Sequence, residues 1–474
     1  MRDPWEPTLL VRLIIPLIII PLLGISPNPH IVSQIAYRTH LSIKDNAPSE
    51  VSAKFIRLIE YLPWRQDLRE LAAFYALEAG DSLTALFYFK QLAEIDQLSP
   101  EHLIQMGDAA LLSNDFTLAL ESWNTSFEQG GPPAELLPRL YHLYQQLKDY
   151  PSQIEVLKSL VTILPSVADY HYHLGLLLSI TQPDSSLVYL LRAAEINPSL
   201  SASVQIMQSN LNTARLVDDP VYTQMVIGRA LASLDEWGYA FEAFSQATEL
   251  SPDYADAWAF LGEARHHLGE DGYRDLQKSL DLDPESIAAN TYMAIYWQRQ
   301  GRHDLASNYL DVAIQVDPQN PVLQAEMGNI LAHLGNINQA LIHYQRATEL
   351  APRDSTYWHA MARFSIKYDH DIQQIALPAA RQALYLNPED PTSLDLMGQI
   401  YIRMDDTYTA ERFLLRSLEY DPDYAPAHLH LGFLYLMTGE MQKAFNELSF
   451  ARSLAEPGSL TSEQARRLLQ TNFP

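Results

Sequence analysis

Residues 321–353 read PVLQAEMGNILAHLGNINQALIHYQRATELAPR, and they contain two amphipathic segments separated by a break. The first segment carries apolar side chains three and four residues apart, at Leu323, Met327, Ile330, Leu331 and Leu334. The second does the same at Ala340, Leu341, Tyr344, Ala347 and Leu350. This spacing places the apolar residues on one face of a helix. Gly335 and Asn336 interrupt the pattern, so the stretch predicts an antiparallel helix pair.

Regularly spaced prolines indicate that this unit repeats along most of the chain. They lie at residues 165, 198, 252, 284, 318, 352, 388, 422 and 457, with spacings of 32 to 36 except for one of 54. Asp or Asn often precedes the proline, as at Asp283, Asp317 and Asp421. These residues favour turns, and a proline moves the residue before it out of the helical region. Each proline therefore marks a turn between helices of a repeated unit.

Small and aromatic residues recur at fixed places within this period. Trp258, Leu261 and Gly262 begin one repeat, and Met327 and Gly328 take the corresponding places in another. The small residue of the first helix falls at Ala73, Gly107, Gly175, Gly228, Gly262, Ala294, Gly328, Ala362, Gly398 and Gly432. That of the second helix falls at Ala85, Ala119, Ala240, Ala306, Ala340, Ala410 and Ala444. Small residues are needed there because the two helices cross closely.

This pattern resembles the tetratricopeptide repeat, in which W-x-x-L-G is followed by a central Ala, an aromatic residue and a closing Pro. The resemblance covers about eleven units between residues 66 and 457, some of them degenerate. It implies an all-α fold, a right-handed superhelical solenoid of antiparallel helix pairs. In the unit at 134–166, Tyr141 and Gln153 replace the expected small residues, so this pair is predicted to pack differently.

The repeat pattern divides the chain into five segments. Residues 1–48 form an N-terminal segment and linker, and 49–199 a degenerate array of about four repeats. Residues 200–220 form an inserted helix with a junction at Asp218 to Pro220, because the spacing of 54 exceeds one repeat. Residues 221–457 form a second array of about seven repeats. Residues 458–474 contain a capping helix at Gln464 to Gln470, with the polar face that terminal repeats require.

The N-terminal segment contains the apolar run LLVRLIIPLIIIPLLGI from Leu9 to Ile25. Its length is near the lower limit for a membrane-spanning helix, and its only charge, Arg12, lies near the start. The next positive residue after the run is Arg38, so the positive-inside rule places the N-terminus in the cytoplasm. A single-pass membrane anchor with extracytoplasmic repeats is expected. A cleaved signal peptide, which would export the chain, and a buried structural helix are the alternatives.

Composition excludes several classes of function. The chain of 474 residues carries 32 basic and 58 acidic side chains, a net charge of −26, so a nucleic-acid partner is not expected. Cysteine is absent, which removes disulfides, thiolate metal sites and cysteine nucleophiles. No nucleotide-binding, zinc-protease or serine-hydrolase motif occurs. The sequence therefore predicts a protein that is not an enzyme and has no cofactor.

The histidines do not predict a metal site. They are densest at His171 and His173, His266 and His267, and His428 and His430. Neighbours one or two residues apart point to different faces of a helix, so they cannot readily chelate one metal ion.

In tetratricopeptide arrays the first helices line the inner groove, through positions one, four and five residues after the small residue. The resemblance therefore implies a partner-binding groove in the second array. Its predicted residues are Arg229, Glu263, His266, Arg299, Asn329, His333, Arg363, Lys367, Arg403 and Phe433. Five full positive charges then face one negative charge, on an acidic chain, which favours an acidic protein or peptide partner. The alternative is that these side chains are solvated or paired internally, for instance Arg229 with Glu263.

Two classes of function remain open. The first is a non-enzymatic interaction scaffold or adaptor, tethered to a membrane, because the chain resembles bacterial envelope-associated tetratricopeptide proteins that act in assembly or secretion. The second is a substrate-recognition or regulatory subunit of a separate enzyme such as a glycosyltransferase, since the repeats leave no room for a catalytic domain. A polysaccharide-binding solenoid would need exposed aromatic residues, but Trp237, Trp258 and Trp297 have the spacing of packed residues.

Overall fold

A computed structural model of the chain describes residues 48–473. Within this range the structure is all-helical, with 25 α-helices and no β-strand. The prediction of an all-α helical-repeat solenoid is therefore confirmed. The described residues divide into two compact units between Leu211 and Asn212, within one helix. The domain boundaries drawn from the sequence stay predictions.

The helices of the first unit come in pairs, with one helix before them. They are α1 Pro48–Tyr61, α2 Gln66–Glu78, α3 Ser82–Ile95, α4 Pro100–Leu112, α5 Phe116–Glu128, α6 Pro133–Gln146, α7 Tyr150–Ile163, α8 Ala168–Thr181 and α9 Pro183–Ile196. A short 3-10 turn at Pro198–Leu200 leads into α10 Ser201–Val217, in which the division between the units lies.

The second unit continues the pattern through seven pairs and a final helix. They are α11 Pro220–Ser233, α12 Trp237–Leu250, α13 Ala255–His267, α14 Tyr273–Leu282, α15 Ile287–Arg299, α16 His303–Val316, α17 Pro321–His333, α18 Ile337–Leu350, α19 Ser355–Lys367, α20 Leu377–Leu386, α21 Pro391–Arg403, α22 Thr407–Tyr420, α23 Ala425–Thr438, α24 Met441–Leu454 and α25 Leu460–Asn472. A π turn at Ile372–Ala376 precedes α20, in the repeat whose proline spacing is 36.

In the pairs that have glycine at the small position, the first helix meets the second helix there. A Cβ atom added at Gly228 would lie 2.5 Å from the Phe244 ring, and one at Gly328 would lie 3.0 Å from Tyr344. Both aromatic rings are buried on the second helix of their pair. Successive first helices also pack beside each other, as α13 with α15, α19 with α21 and α21 with α23. Consequently their exposed residues share one side of the array.

A hydrogen bond that the sequence pattern did not predict recurs at the repeat prolines. The side chain six residues after the proline bonds to the proline's carbonyl oxygen, over distances between 2.9 and 3.3 Å. The pairs are His171 with Pro165, Trp258 with Pro252, Asn290 with Pro284, Gln324 with Pro318, Trp358 with Pro352 and His428 with Pro422. This bond satisfies a carbonyl group in the turn. His, Asn and Gln thus make the same bond as Trp at this position.

The degenerate pair α6–α7 buries both of its unusual residues. Tyr141 is 3% exposed and Gln153 is fully buried. The Gln153 amide Nε2 donates to the Tyr144 carbonyl at 3.0 Å, at the position where seven other repeats have alanine. A long polar side chain is thus accommodated at this position by a hydrogen bond back to the first helix.

The predicted location, a single-pass membrane anchor with extracytoplasmic repeats, is wrong. A spanning helix needs about 20 apolar residues. In the described range the longest helix, α10, has 17 residues, and no helix is both long and apolar enough to cross a membrane. The run at residues 9–25, from which the location was predicted, lies outside the described residues.

Candidate functional site

The second unit contains a cavity of about 880 Å³, bounded by α19, α21, α23 and α25. We call it the terminal groove. Its polar lining residues are Arg363, Lys367, Asp395, Gln399, Arg403, Tyr424, His430, Thr461, Gln464 and Arg467, and its apolar ones are Ile366, Ile402, Pro426, Leu429, Phe433, Leu460 and Leu468. Three consecutive first helices and the last described helix therefore form one recess. Four of the predicted groove residues, Arg363, Lys367, Arg403 and Phe433, lie in it.

The terminal groove contains four cationic side chains with little internal neutralisation. Within residues 48–473, Arg363, Lys367 and Arg467 form no ion pair. The Lys367 ammonium lies 5.3 Å from the centre of the Tyr368 ring. Arg403 lies 4.0 Å from Asp369, and both of these side chains are largely exposed, so this pair is weak. The cations are therefore available to an anionic ligand.

The carboxylate in the lining, Asp395, is already engaged on both oxygens. Its side chain is 4% exposed, and His430 Nδ1 lies 2.6 Å from Oδ1. The Gln399 amide Nε2 donates to Oδ2 at 2.8 Å. The Tyr424 hydroxyl donates to Thr392 Oγ1 at 3.2 Å, and burial of the phenol raises the pKa of Tyr424. Asp395 thus joins α21 to α23 and leaves the cations without a free carboxylate in the lining.

Two more predicted groove residues, Arg299 and Glu263, bind each other. The Arg299 guanidinium donates to both Glu263 oxygens, at 2.9 and 2.6 Å, and Glu263 is 6% exposed. His267 Nε2 lies 3.2 Å from the same carboxylate, and its ring stacks on Trp237 at 3.6 Å. A bidentate pair of this kind is strong and geometrically specific. Arg299 therefore holds α13 to α15 instead of facing solvent as a free cation.

Arg229 does not make the internal pair with Glu263 that the sequence suggested. Its Nε donates to the Met225 carbonyl at 3.3 Å, and its guanidinium lies 5.9 Å from the centre of the Phe260 ring. His266 lies beside the Arg299–Glu263 pair, and partial burial together with Arg299 lowers the pKa of His266. These residues are on α11, α13 and α15, outside the lining of the terminal groove.

Asn329 and His333 lie on α17, one repeat before the terminal groove. Burial raises the pKa of Glu326, and a hydrogen bond from Asn329 partly offsets this rise. The His333 ring stacks on His303 at 4.8 Å, and partial burial together with Lys367 lowers the pKa of His333. His333 and Lys367 therefore interact electrostatically, although His333 is absent from the lining.

Sequence reasoning missed Asp395, His430 and Arg467. Asp395 lies three residues before Gly398 and His430 two before Gly432, whereas the positions chosen from the resemblance all follow the small residue. Arg467 lies on the helix interpreted only as a cap. A helical projection of that helix would have placed Leu460, Gln464 and Arg467 on one side, since they are separated by four and three residues.

The described part of the chain contains no group of three or more His, Asp or Glu side chains arranged to hold a metal ion. His428 and His430 face different partners, Glu447 on α24 and Asp395 on α21. Each histidine therefore has a structural neighbour of its own.

The fold defines a helical-repeat protein. Residues 298–364 and 391–424 match two family models, both described as tetratricopeptide repeat. The prediction of tetratricopeptide repeats is therefore confirmed. Both matches are to repeat families, and no catalytic family is indicated.

Three similar proteins illustrate the range of relatives. The peroxisomal targeting signal receptor of Komagataella phaffii is 35% identical over 19% of this chain and 17% of its own length. The anaphase-promoting complex subunit CDC16 of Saccharomyces cerevisiae is 21% identical over 76% of this chain and 42% of its own. A crystal structure of the APC/C hetero-tetramer Cut9–Hcn1 shares 16% identity and a TM-score of 0.41, covering 95% of this chain and 99% of that one.

The chain spans less than half the length of the curated relatives that it matches. The relatives include anaphase-promoting complex subunits of two yeasts. They give no support to membrane tethering or to a role in a bacterial envelope.

Proposed function

We propose that the protein is a non-enzymatic interaction scaffold whose terminal groove binds an acidic segment of a partner protein. The observation that supports this most is the convergence of Arg363, Lys367, Arg403 and Arg467 on one cavity, with the lining carboxylate Asp395 already bound by His430 and Gln399. Complementary charge steers and orients a partner. The proposed site is shorter than the basic strip predicted from the sequence, and it leaves out Arg299, which pairs with Glu263.

The size of the groove favours a segment over a folded surface. Its volume of about 880 Å³ falls within the roughly 300–1,000 Å³ of pockets that enclose drug-sized ligands. A few side chains of an extended or helical segment fit such a volume. The names of two relatives, a targeting signal receptor and a subunit of a multiprotein complex, are consistent with recognition of proteins.

Charge reversal within the groove tests this function. The probe is a short fluorescein-labelled peptide of Asp, Glu and Gly, and binding to the full chain is measured by fluorescence anisotropy. The variant Arg363→Glu with Arg403→Glu replaces attraction by repulsion, so we expect about a tenfold loss of affinity, which corresponds to about 1.4 kcal/mol. Added salt should weaken wild-type binding, because the contacts are exposed.

The matched control is Arg353→Glu with Arg381→Glu, which makes the same change of charge at two exposed arginines of the same unit outside the groove. We expect this control to bind the probe nearly as well as the wild type. An equal loss in both variants would mean that net charge rather than the groove determines binding. That result, or no binding by the wild type, would overturn the proposed function.

A further inference from the structure

The last described helix contributes a continuous face to the terminal groove. Leu460, Thr461, Gln464, Arg467 and Leu468 all line the cavity. They follow one another at intervals of one, three, three and one residues, which places them on one face of α25. The helix is therefore a wall of the groove along most of its length.

The opposite face of α25 anchors the helix to the array. Ala465 is fully buried and packs in one cluster with Leu429, Leu448 and Ala451 of the preceding pair, α23–α24. Leu469 and Phe473 pack against the same cluster, and the Phe473 ring meets Phe445 edge to face at 5.3 Å. The groove-lining face is thus held in place by packing on its other side.

The face that α25 presents to the groove contains both apolar and charged residues, whereas the sequence predicted a capping helix with a polar face. Leu460 is 74% exposed at one end of the face, and the cation Arg467, which forms no ion pair within residues 48–473, lies near the other. Phe433 of α23 is 41% exposed and lines the same cavity. Large apolar side chains and cations therefore lie together around one recess.

We infer that the groove selects a segment in which a bulky apolar side chain is flanked by acidic residues, and that α25 contributes Leu460 and Arg467 to this specificity beside Phe433 of α23. The inference rests on the proposed function. The cations require acidic groups on the ligand, and burial of an apolar anchor against Leu460 and Phe433 removes their exposed surface from water. Phe433 and Leu460 discriminate the anchor, and Arg467 adds a charge contact beside it.

Two peptide probes test the inference on the full chain. Both consist of Asp, Glu and Gly residues, and they differ only at the central residue, which is Phe in one and Ser in the other. We expect the wild type to bind the Phe probe about tenfold more tightly, from the area that an aromatic side chain buries. In the variant Leu460→Ser with Phe433→Ser, the affinity for the Ser probe should be retained and the preference for Phe should vanish.

Leu83→Ser is the matched control, because Leu83 is also 74% exposed but lies on α3. It should keep the tenfold preference. Leu460→Ser alone alters an exposed side chain at the start of α25, so it should fold and show part of the loss, and circular dichroism checks both variants.

The remaining outcomes distinguish a failure of this inference from a failure of the proposed function. Equal binding of both probes by the wild type, or a preference that survives in the double variant, would overturn the inference. Suppose that one of these results is found but the variant Arg363→Glu with Arg403→Glu still binds both probes more weakly than the wild type. The inference would then fail, and the proposed function would stand. If that charge reversal changed neither affinity, or if neither probe bound, the proposed function itself would be wrong.

Discussion

Arg299 and Arg403 occupy the same position of their repeats, five residues after the small residue of the first helix. Their surroundings differ at the position that directly follows the small residue of the preceding first helix. Glu263 stands there for Arg299 and binds it bidentately, whereas Arg363 stands there for Arg403. The carboxylate makes Arg299 part of the framework. Arg363 offers no such partner, so Arg403 keeps only its weak pair with Asp369 and lines the terminal groove.

At the residue scale, His428 makes the stability of the fold depend on pH. Its Nδ1 lies 2.6 Å from Glu447 and its Nε2 lies 3.0 Å from the Pro422 carbonyl, and both neighbours accept hydrogen bonds. A ring that donates to both of these acceptors carries hydrogen on both nitrogens and is cationic. Partial burial opposes this charge, but the hydrogen bonds to Glu447 and Pro422 outweigh it, so the pKa of His428 is raised.

A raised pKa in the folded state stabilises the fold below the unfolded value of about 6.5, and this stabilisation is lost as pH rises through the folded pKa. We expect the free energy of unfolding of the wild type to fall more between about pH 6 and pH 8 than that of His428→Gln. Urea denaturation at both pH values measures the difference. Other titrating groups act in both proteins and cancel, so equal slopes would show that His428 is not cationic in the fold.

The helix pairs are predictable from the sequence because each depends on local patterns. The spacing of the apolar residues predicts which face of each helix is buried, and the prolines predict where the turns lie. The glycine at 228 is small because the Phe244 ring occupies the space of its Cβ atom. Contacts between side chains of different repeats are harder to predict from the sequence. The partner of Arg299, for example, lies 36 residues away on another first helix. The role of α25 was also hidden, because its groove face depends on how the helix docks onto α23 and α24.

The hydrogen bond to the repeat proline makes a prediction at the scale of one helix pair. Trp358 Nε1 donates to the Pro352 carbonyl at 3.0 Å, and the ring packs against the core of the second unit. Trp358→Phe keeps most of the ring but removes the donor. We expect a loss of about 1–2 kcal/mol in the free energy of unfolding.

Trp64→Phe provides the control for this measurement, because Trp64 is 67% exposed in the turn between α1 and α2. Chemical denaturation should show almost no change in this variant. If both tryptophan variants lost the same stability, the hydrogen bond to the proline would not contribute to the fold.

At the scale of the whole molecule, all residues of the terminal groove lie in the second unit. Repeat arrays are stabilised mainly by contacts between neighbouring units, so an array can fold without distant repeats. We expect residues 218–474, which begin just before α11, to fold and to bind the acidic probe with nearly the affinity of the full chain. Circular dichroism and anisotropy test this, and a folded fragment that does not bind would place the site elsewhere.

The most direct measurement of the central claim is to locate the bound segment. An acidic peptide with a photoreactive phenylalanine analogue at its centre is cross-linked to the full chain, and the attached residues are mapped by mass spectrometry. The account predicts cross-links within α23 and α25, near Phe433, Leu460 and Leu468, which the Arg363→Glu with Arg403→Glu variant abolishes. Cross-links concentrated on α11, α13 and α15, or distributed over both units, would contradict it.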